Sequence, residues 1–210
     1  MKWIKTILLM CSICLVLMLV GFGYLYSRIE GRAVISTNAI TTPTREKINS
    51  AVARLIVEGR SSEVYAFYAQ EVGDPLKASL YVESAFEAHV PIDMIMACGW
   101  YEGGHQIGKV DGPNVNGSFD VRPMGLNTYT YKMYSLGELE QMEFNIPQGA
   151  RHLIAEKDKW SVSYETAIAS YNHGSPTGLD KRQIDYVVAV IRHEWELDRR
   201  FAVRFPDAIQ

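Results

Sequence analysis

The sequence predicts an all-α domain set behind an apolar amino-terminal segment. Three observations predict it. Apolar residues recur at helical spacing through most of residues 45–200, and the starts and stops of these runs carry caps, prolines and glycines. Only residues 103–134 break the pattern.

A chain of 210 residues suffices for one well-cored domain and a short appendage. Apolar residues make up 48% and charged residues 21%, a globular balance rather than that of a disordered chain. The first element is the run of 22 uncharged residues between Lys5 and Arg28, rich in Ile, Leu, Val, Met and Phe. A membrane-crossing helix needs about 20 such residues. Lys2 and Lys5 precede it, so the positive-inside rule places the amino terminus in the cytoplasm and the rest beyond the membrane. Residues 1–28 therefore read as a single-pass anchor in the inner (cytoplasmic) membrane, with the domain in the periplasm or extracytoplasmic space. The alternative is a cleaved signal sequence, with Gly21 and Gly23 near its processing site and the domain secreted. The run outlasts a usual signal core, which favours the anchor.

Cys11 and Cys14 lie inside the apolar run, where a redox C-x-x-C has no aqueous partner. Cys98 is the only other cysteine, so packing rather than a disulfide must hold the domain. Without Lys2 and Lys5, 19 basic residues face 24 acidic ones, a net charge of −5 that gives no sign of nucleic-acid binding.

Residues 29–44 are polar and aperiodic and end just past Pro43, which reads as a linker. The domain then covers residues 45–210. Residues 45–58 place Ile48, Val52, Leu55 and Ile56 on one helical face, and a second helix spans 61–72. Asp74-Pro75 is a cap followed by proline at the first helical position, opening a helix with Leu76, Leu80 and Phe86. Pro91 opens the next, through Ile92, Ile95, Met96 and Trp100. Asn145 is expected to cap a helix containing Ala150, Leu153 and Ile154, and another runs over 163–171. The last covers 179–200, where Ile184, Val187, Val188, Ile191 and Trp195 form an apolar stripe expected to face the core. Residues 103–134, rich in Gly, Asn, Asp and Tyr, form a loop of a length that is more often functional than idle.

Glu102 closes the helix that Pro91 opens, and Gly103-Gly104 stops it. A carboxylate there feels the negative end of the helix dipole and, if buried beside Trp100 and Tyr101, holds its proton to higher pH. A general acid needs that property. Taken alone, such a glutamate is usually a solvated helix end.

The order of motifs raises its standing. V-P-I-D-M-I-M-A-C-G-W-Y-E over 90–102, G-S-F-D-V-R-P-M-G-L-N over 117–127, N-I-P-Q-G-A over 145–150, A-S-Y-N-H-G over 169–174 and Y-V-V-A-V over 186–190 resemble successive motifs of soluble lytic transglycosylase (SLT) catalytic domains. The resemblance spans about residues 88–195. It implies a goose-lysozyme-like helical fold that cleaves the MurNAc–GlcNAc bond of peptidoglycan, with no metal and no cofactor. It also implies Glu102 as the catalytic residue, and Met124, Asn127, Tyr171, Asn172 and Tyr186 as residues lining the glycan groove. In that family one glutamate protonates the leaving oxygen, the substrate's N-acetyl group attacks the anomeric carbon, and the same glutamate recovers a proton as a 1,6-anhydro ring closes. Partners implied are peptidoglycan strands and, for a tethered enzyme, a secretion, conjugation or appendage apparatus.

The chain departs from the family pattern at three places. Gly103 stands where a serine follows the glutamate, Gly125 stands for a glutamine, and Arg122-Pro123 replaces Gly-Leu. Two rival functions stay open. One is a muramidase of the same fold, for which Asp111 or Asp120 supplies a second carboxylate, although loop aspartates more often build turns. The other is a non-catalytic glycan-binding or assembly protein. The five histidines show no H-E-x-x-H zinc pattern, since Leu197 takes its fifth place after His193-Glu194. Gly174 to Gly178 reads as a turn rather than a nucleophile elbow.

Overall fold

The computed structural model describes residues 43–209. The anchor expected over residues 1–28 and most of the linker over 29–44 lie outside them. No helix among the described residues is long and apolar enough to cross a membrane. The described chain is mostly helical, in the order α1 (Arg45–Val57), α2 (Ser61–Val72), α3 (Pro75–Ala88), α4 (Ile92–Gly103), β1 (Val110–Asp111), β2 (Asp120–Val121), β3 (Leu126–Asn127), α5 (Leu136–Leu139), α6 (Met142–Trp160), α7 (Tyr164–His173), α8 (Lys181–Arg204) and α9 (Pro206–Ile209).

Local chemistry sets the helix ends. Thr44 and Asp74 accept hydrogen bonds from the backbone N–H of Lys47 and Lys77, and Pro75 fills the first turn of α3. Such caps are typically worth about 1 kcal/mol. Asp180 and Gln183 form a reciprocal capping box at the start of α8, as Ser135 and Glu138 do for α5. Gly104 ends α4 in the left-handed conformation, where the lack of a Cβ removes the steric cost.

Helix α4 is the central element. Ile92, Met94, Ile95, Met96, Ala97 and Cys98 are all fully buried, and α3, α6 and α8 pack around them. Burying a side chain of this size contributes about 1.5–3 kcal/mol, so α4 anchors the core. Its first and last turns are thereby fixed against the helices on either side.

Several expectations need correction. The stripe on the last helix does not face the core: Ile184, Val188 and Trp195 are exposed, and Val187 and Ile191 only partly covered. The buried face of α8 is Gln183, Tyr186, Val190, Glu194, Leu197, Asp198 and Phe201. Its polar members have partners that a periodicity reading cannot see. Arg45 of α1 forks onto both oxygens of Glu194 at 2.6 and 2.9 Å, and Gln183 meets His173 Nδ1 at 2.5 Å. In α3 the core is built by Ala78, Tyr81, Val82 and Ala85, whereas Leu76 is exposed and Leu80 and Phe86 only flank it. Asn145 is not a cap but sits inside α6, which begins at Met142 and contains Pro147.

Candidate functional site

The stretch after α4 is more ordered than its composition suggests. Its three two-residue strands form an antiparallel sheet in the order β1-β2-β3, pairing Asp111 with Asp120 and Asp120 with Asn127. One buried side chain locks this sheet to the helical core. The Asn145 amide donates to the carbonyls of Val121 and Leu139 at 3.0 and 2.8 Å and accepts from the Met124 N–H at 2.9 Å. Asn145 thus bonds three backbone groups at once, tying β2, the turn after it and the end of α5 to α6. Its only signal in the sequence is its place at the head of N-I-P-Q-G-A.

Met124 is fully buried. Its side chain fills the space left by two glycines, since a Cβ on Gly149 would come within 2.6 Å of Met124 Cβ and one on Gly99 within 3.2 Å of its sulfur. The Tyr171 hydroxyl donates to the Met124 carbonyl at 2.5 Å. Both residues position the β2–β3 turn rather than offering themselves to a ligand.

That turn meets Glu102. Gly125 adopts φ +63°, and a Cβ there would lie 2.6 Å from Glu102 Oε2. A glutamine at this position would collide with the carboxylate, so the departure at Gly125 follows from the close approach. The other two departures accommodate each other. A Cβ on Gly103 would stand 2.8 Å from Arg122 Cδ and 3.0 Å from its Cβ and Cγ, so the glycine makes room for the arginine stem. Arg122 Nε then donates to Asp111 Oδ2.

Glu102 is half-buried, but its Oε1 is sealed from solvent and closes no hydrogen bond with any described residue, and neither does the Tyr186 hydroxyl. Burial pushes the carboxyl above its ordinary range. Tyr186 and Asn172 lie near enough to favour the charged form even without a closed hydrogen bond, the Asp120 charge raises the value further, and Arg122 lowers it. Burial prevails over the opposing contacts. The flanking aromatics are engaged elsewhere: Trp100 stacks on His193 at 4.4 Å, and Tyr101 meets Tyr186 edge-on at 4.7 Å. The Tyr186 phenol is itself raised well above its usual value, first by burial and then by the Glu102 charge.

The structure therefore brings Glu102, Tyr186 and Asn172 together and sets the Met124–Gly125 turn, tied down by Tyr171, beside them. Asn127 stands apart in role. Its Nδ2 donates to Asp120 Oδ1 at 2.7 Å and Ser118 Oγ at 2.9 Å, and its Oδ1 accepts from the Tyr129 N–H at 2.9 Å. Its polar atoms are occupied within the loop. Surface depressions beside Glu46 and Arg54 and beside Phe67 and Arg204 lie elsewhere.

Fold and site together define a helical domain with a carboxyl that burial shifts upward at the end of its central helix, under an ordered loop. No protein-family model, curated protein or solved structure compared with the chain matches it.

Proposed function

We propose that this chain is a lysozyme-like lytic transglycosylase that cleaves the MurNAc–GlcNAc bonds of peptidoglycan with Glu102 as its acid and base. One observation carries the reading. Segments far apart in the chain meet around one desolvated carboxyl, which burial keeps protonated above the usual carboxylate range. A protonated Glu102 delivers its proton to the departing O4 as the bond from C1 breaks. The substrate's N-acetyl oxygen attacks C1. Ionised Glu102 then takes the proton of the C6 hydroxyl, O6 closes on C1 as the bond from C1 to the N-acetyl oxygen breaks and restores the N-acetyl group, and the carboxyl returns to its starting state. No water is consumed, and one proton-handling residue serves both steps.

The half-buried carboxyl suits this cycle because it must change charge twice with little rearrangement. The orphaned Tyr186 hydroxyl and the exposed Asn172 amide offer hydrogen bonds at the same place. The apolar segment over residues 1–28 supports tethering to the inner membrane with the domain in the periplasm or extracytoplasmic space. A secretion, conjugation or appendage apparatus that must cross the wall is the fitting partner.

The test is the chemistry of the products. Digests of purified peptidoglycan should contain 1,6-anhydro muropeptides, lighter by one water than their hydrolysed counterparts in a mass spectrum. Reducing-end products alone would favour the muramidase, and intact strands the non-catalytic glycan-binding or assembly protein.

A further inference from the structure

Helix α8 carries two apolar faces, and the core uses one of them. On the other, Ile184 is 49% exposed, Val188 48% and Trp195 60%, with Ile191 partly covered among them. At 100° of turn per residue these four fall within about 60° of arc. Arg192 and Arg199 project from the same side of the helix, and both are exposed. Scattered apolar side chains on a surface need no explanation, but a continuous stripe along a 24-residue helix marks a contact.

Charge narrows what the contact is with. The exposed positions of α8 include Lys181, Arg182, Arg192, Arg199 and Arg204 against only Asp185 and Glu196. Lys181 neutralises Asp185 at 2.5 Å, whereas Arg192 and Arg199 form no ion pair among the described residues. The chain beyond Lys2 and Lys5 carries a net charge of −5, so this basic surplus is local. Apolar side chains with a tryptophan among them and arginines alongside are the pattern of a helix lying in a lipid headgroup layer. There the indole settles at the interface and the basic groups meet anionic headgroups. The entry of the chain into the domain points the same way. Arg45, one residue past the Thr44 cap, forks onto Glu194, the neighbour of Trp195. The linker expected over residues 29–44 thus ends beside this face, and a linker of that length reaches at most about 55 Å.

We propose that the face of α8 formed by Ile184, Val188, Trp195, Arg192 and Arg199 docks the domain on the anionic lipid surface of the membrane that holds its anchor. This rests on residues 1–28 being that anchor. A second copy of the chain fits the face less well, because a twofold contact would bring the two sets of arginines together. Docking also orients the site. Tyr186 is buried against Glu102, and it lies about 160–200° around the helix from Val188 and Ile184. With α8 on the lipid, Glu102 is turned away from the bilayer, towards the space where a wall would lie.

The test reconstitutes the full chain in phosphatidylcholine vesicles with and without phosphatidylglycerol, both carrying lipids brominated on the acyl chain. The difference in emission between the parent and Trp195→Phe isolates Trp195. With phosphatidylglycerol present, the bromolipids should quench Trp195. Ile184→Ser combined with Val188→Ser should abolish that quenching. A basic residue beside an anionic leaflet is worth about fivefold in partition, so Arg192→Gln combined with Arg199→Gln should lower the docked-to-free ratio about 25-fold. On phosphatidylcholine alone the arginine changes should have no effect. All five side chains are exposed or partly so, and circular dichroism melts of the variants should match the parent's. A Trp195 that stays unquenched on anionic vesicles would overturn the proposal and leave the face to a partner protein. Equal quenching in the arginine variant would overturn it too, since charge would then play no part. So would emission that shifts to the blue with rising protein-to-lipid ratio but is not quenched, which would give the face to a second copy. Release of the full chain from the vesicles by alkaline extraction would instead remove the anchor, which quenching of Trp195 reads separately from docking.

Discussion

The two ends of α4 each carry a carboxyl that burial has pushed towards its protonated form, and their surroundings differ. At the first turn Asp93 is sealed in the core against Asp198 of α8 and Tyr68 of α2, and neither of its oxygens closes a conventional hydrogen bond. Two carboxyls this close can bond only through a shared proton, so Asp93 and Asp198 are both raised, chiefly by burial. At the last turn Glu102 keeps partial exposure beneath a loop. Desolvation alone therefore does not make a site. What separates the two is an opening towards solvent and the polar groups of Asn172, Tyr186 and Asp120 beside the carboxyl.

The largest effect expected at the Glu102 end comes from Asn145. Asn145→Ala removes the hydrogen bonds to the Val121 and Leu139 carbonyls and from the Met124 N–H, and a buried group left unsatisfied costs about 1–3 kcal/mol. The variant should lose about 3 kcal/mol or more in denaturant unfolding, and glycan cleavage should fall with it as the turn over Glu102 loosens. A variant as stable as the parent would show that the loop is held by other means.

Asp93 should act on stability alone. A carboxyl whose folded pKa is raised contributes stability that is fully present below its unfolded pKa and lost as pH rises through the folded value. The parent should therefore melt at progressively lower temperature as pH climbs above the ordinary carboxylate range. Asp93→Asn, which stays neutral and can donate to Asp198, should flatten that slope and leave cleavage unchanged. Thermal melts across pH, paired with wall digestion at one pH, read both effects. A loss of cleavage in a well-folded Asp93→Asn variant would erase the distinction between the two ends.

These contrasts were legible in the sequence to different degrees. Helix α1 reads largely correctly because, of its four expected apolar positions, Ile48, Val52 and Leu55 are buried and Ile56 packs against them partly covered. Helix α8 misleads because it carries two apolar series, Ile184, Val188, Ile191 and Trp195 on one side and Tyr186, Val190, Leu197 and Phe201 on the other. The second face is chosen because Arg45, His173 and Asp93 receive its polar members. Such partners lie far away in the chain, and no local period reports them. Glu102 stood out through the glycine stop beside it. Asn145 read as a cap because an asparagine before an apolar run usually is one. The hydrogen bond from Asn127 to Asp120 stayed hidden because the strands that align it are only two residues long.

Glu102→Gln tests the central claim most directly. The amide keeps the shape of the side chain but can neither deliver nor recover a proton, and general acid–base catalysis is typically worth about 10²–10⁴ in rate. Turbidity loss of purified peptidoglycan should slow by at least about two orders of magnitude, while the circular dichroism melt stays at or above the parent's because a buried carboxyl that resists ionisation has been replaced by a neutral group. A well-folded Glu102→Gln variant that clears the wall at the parent's rate would contradict the account.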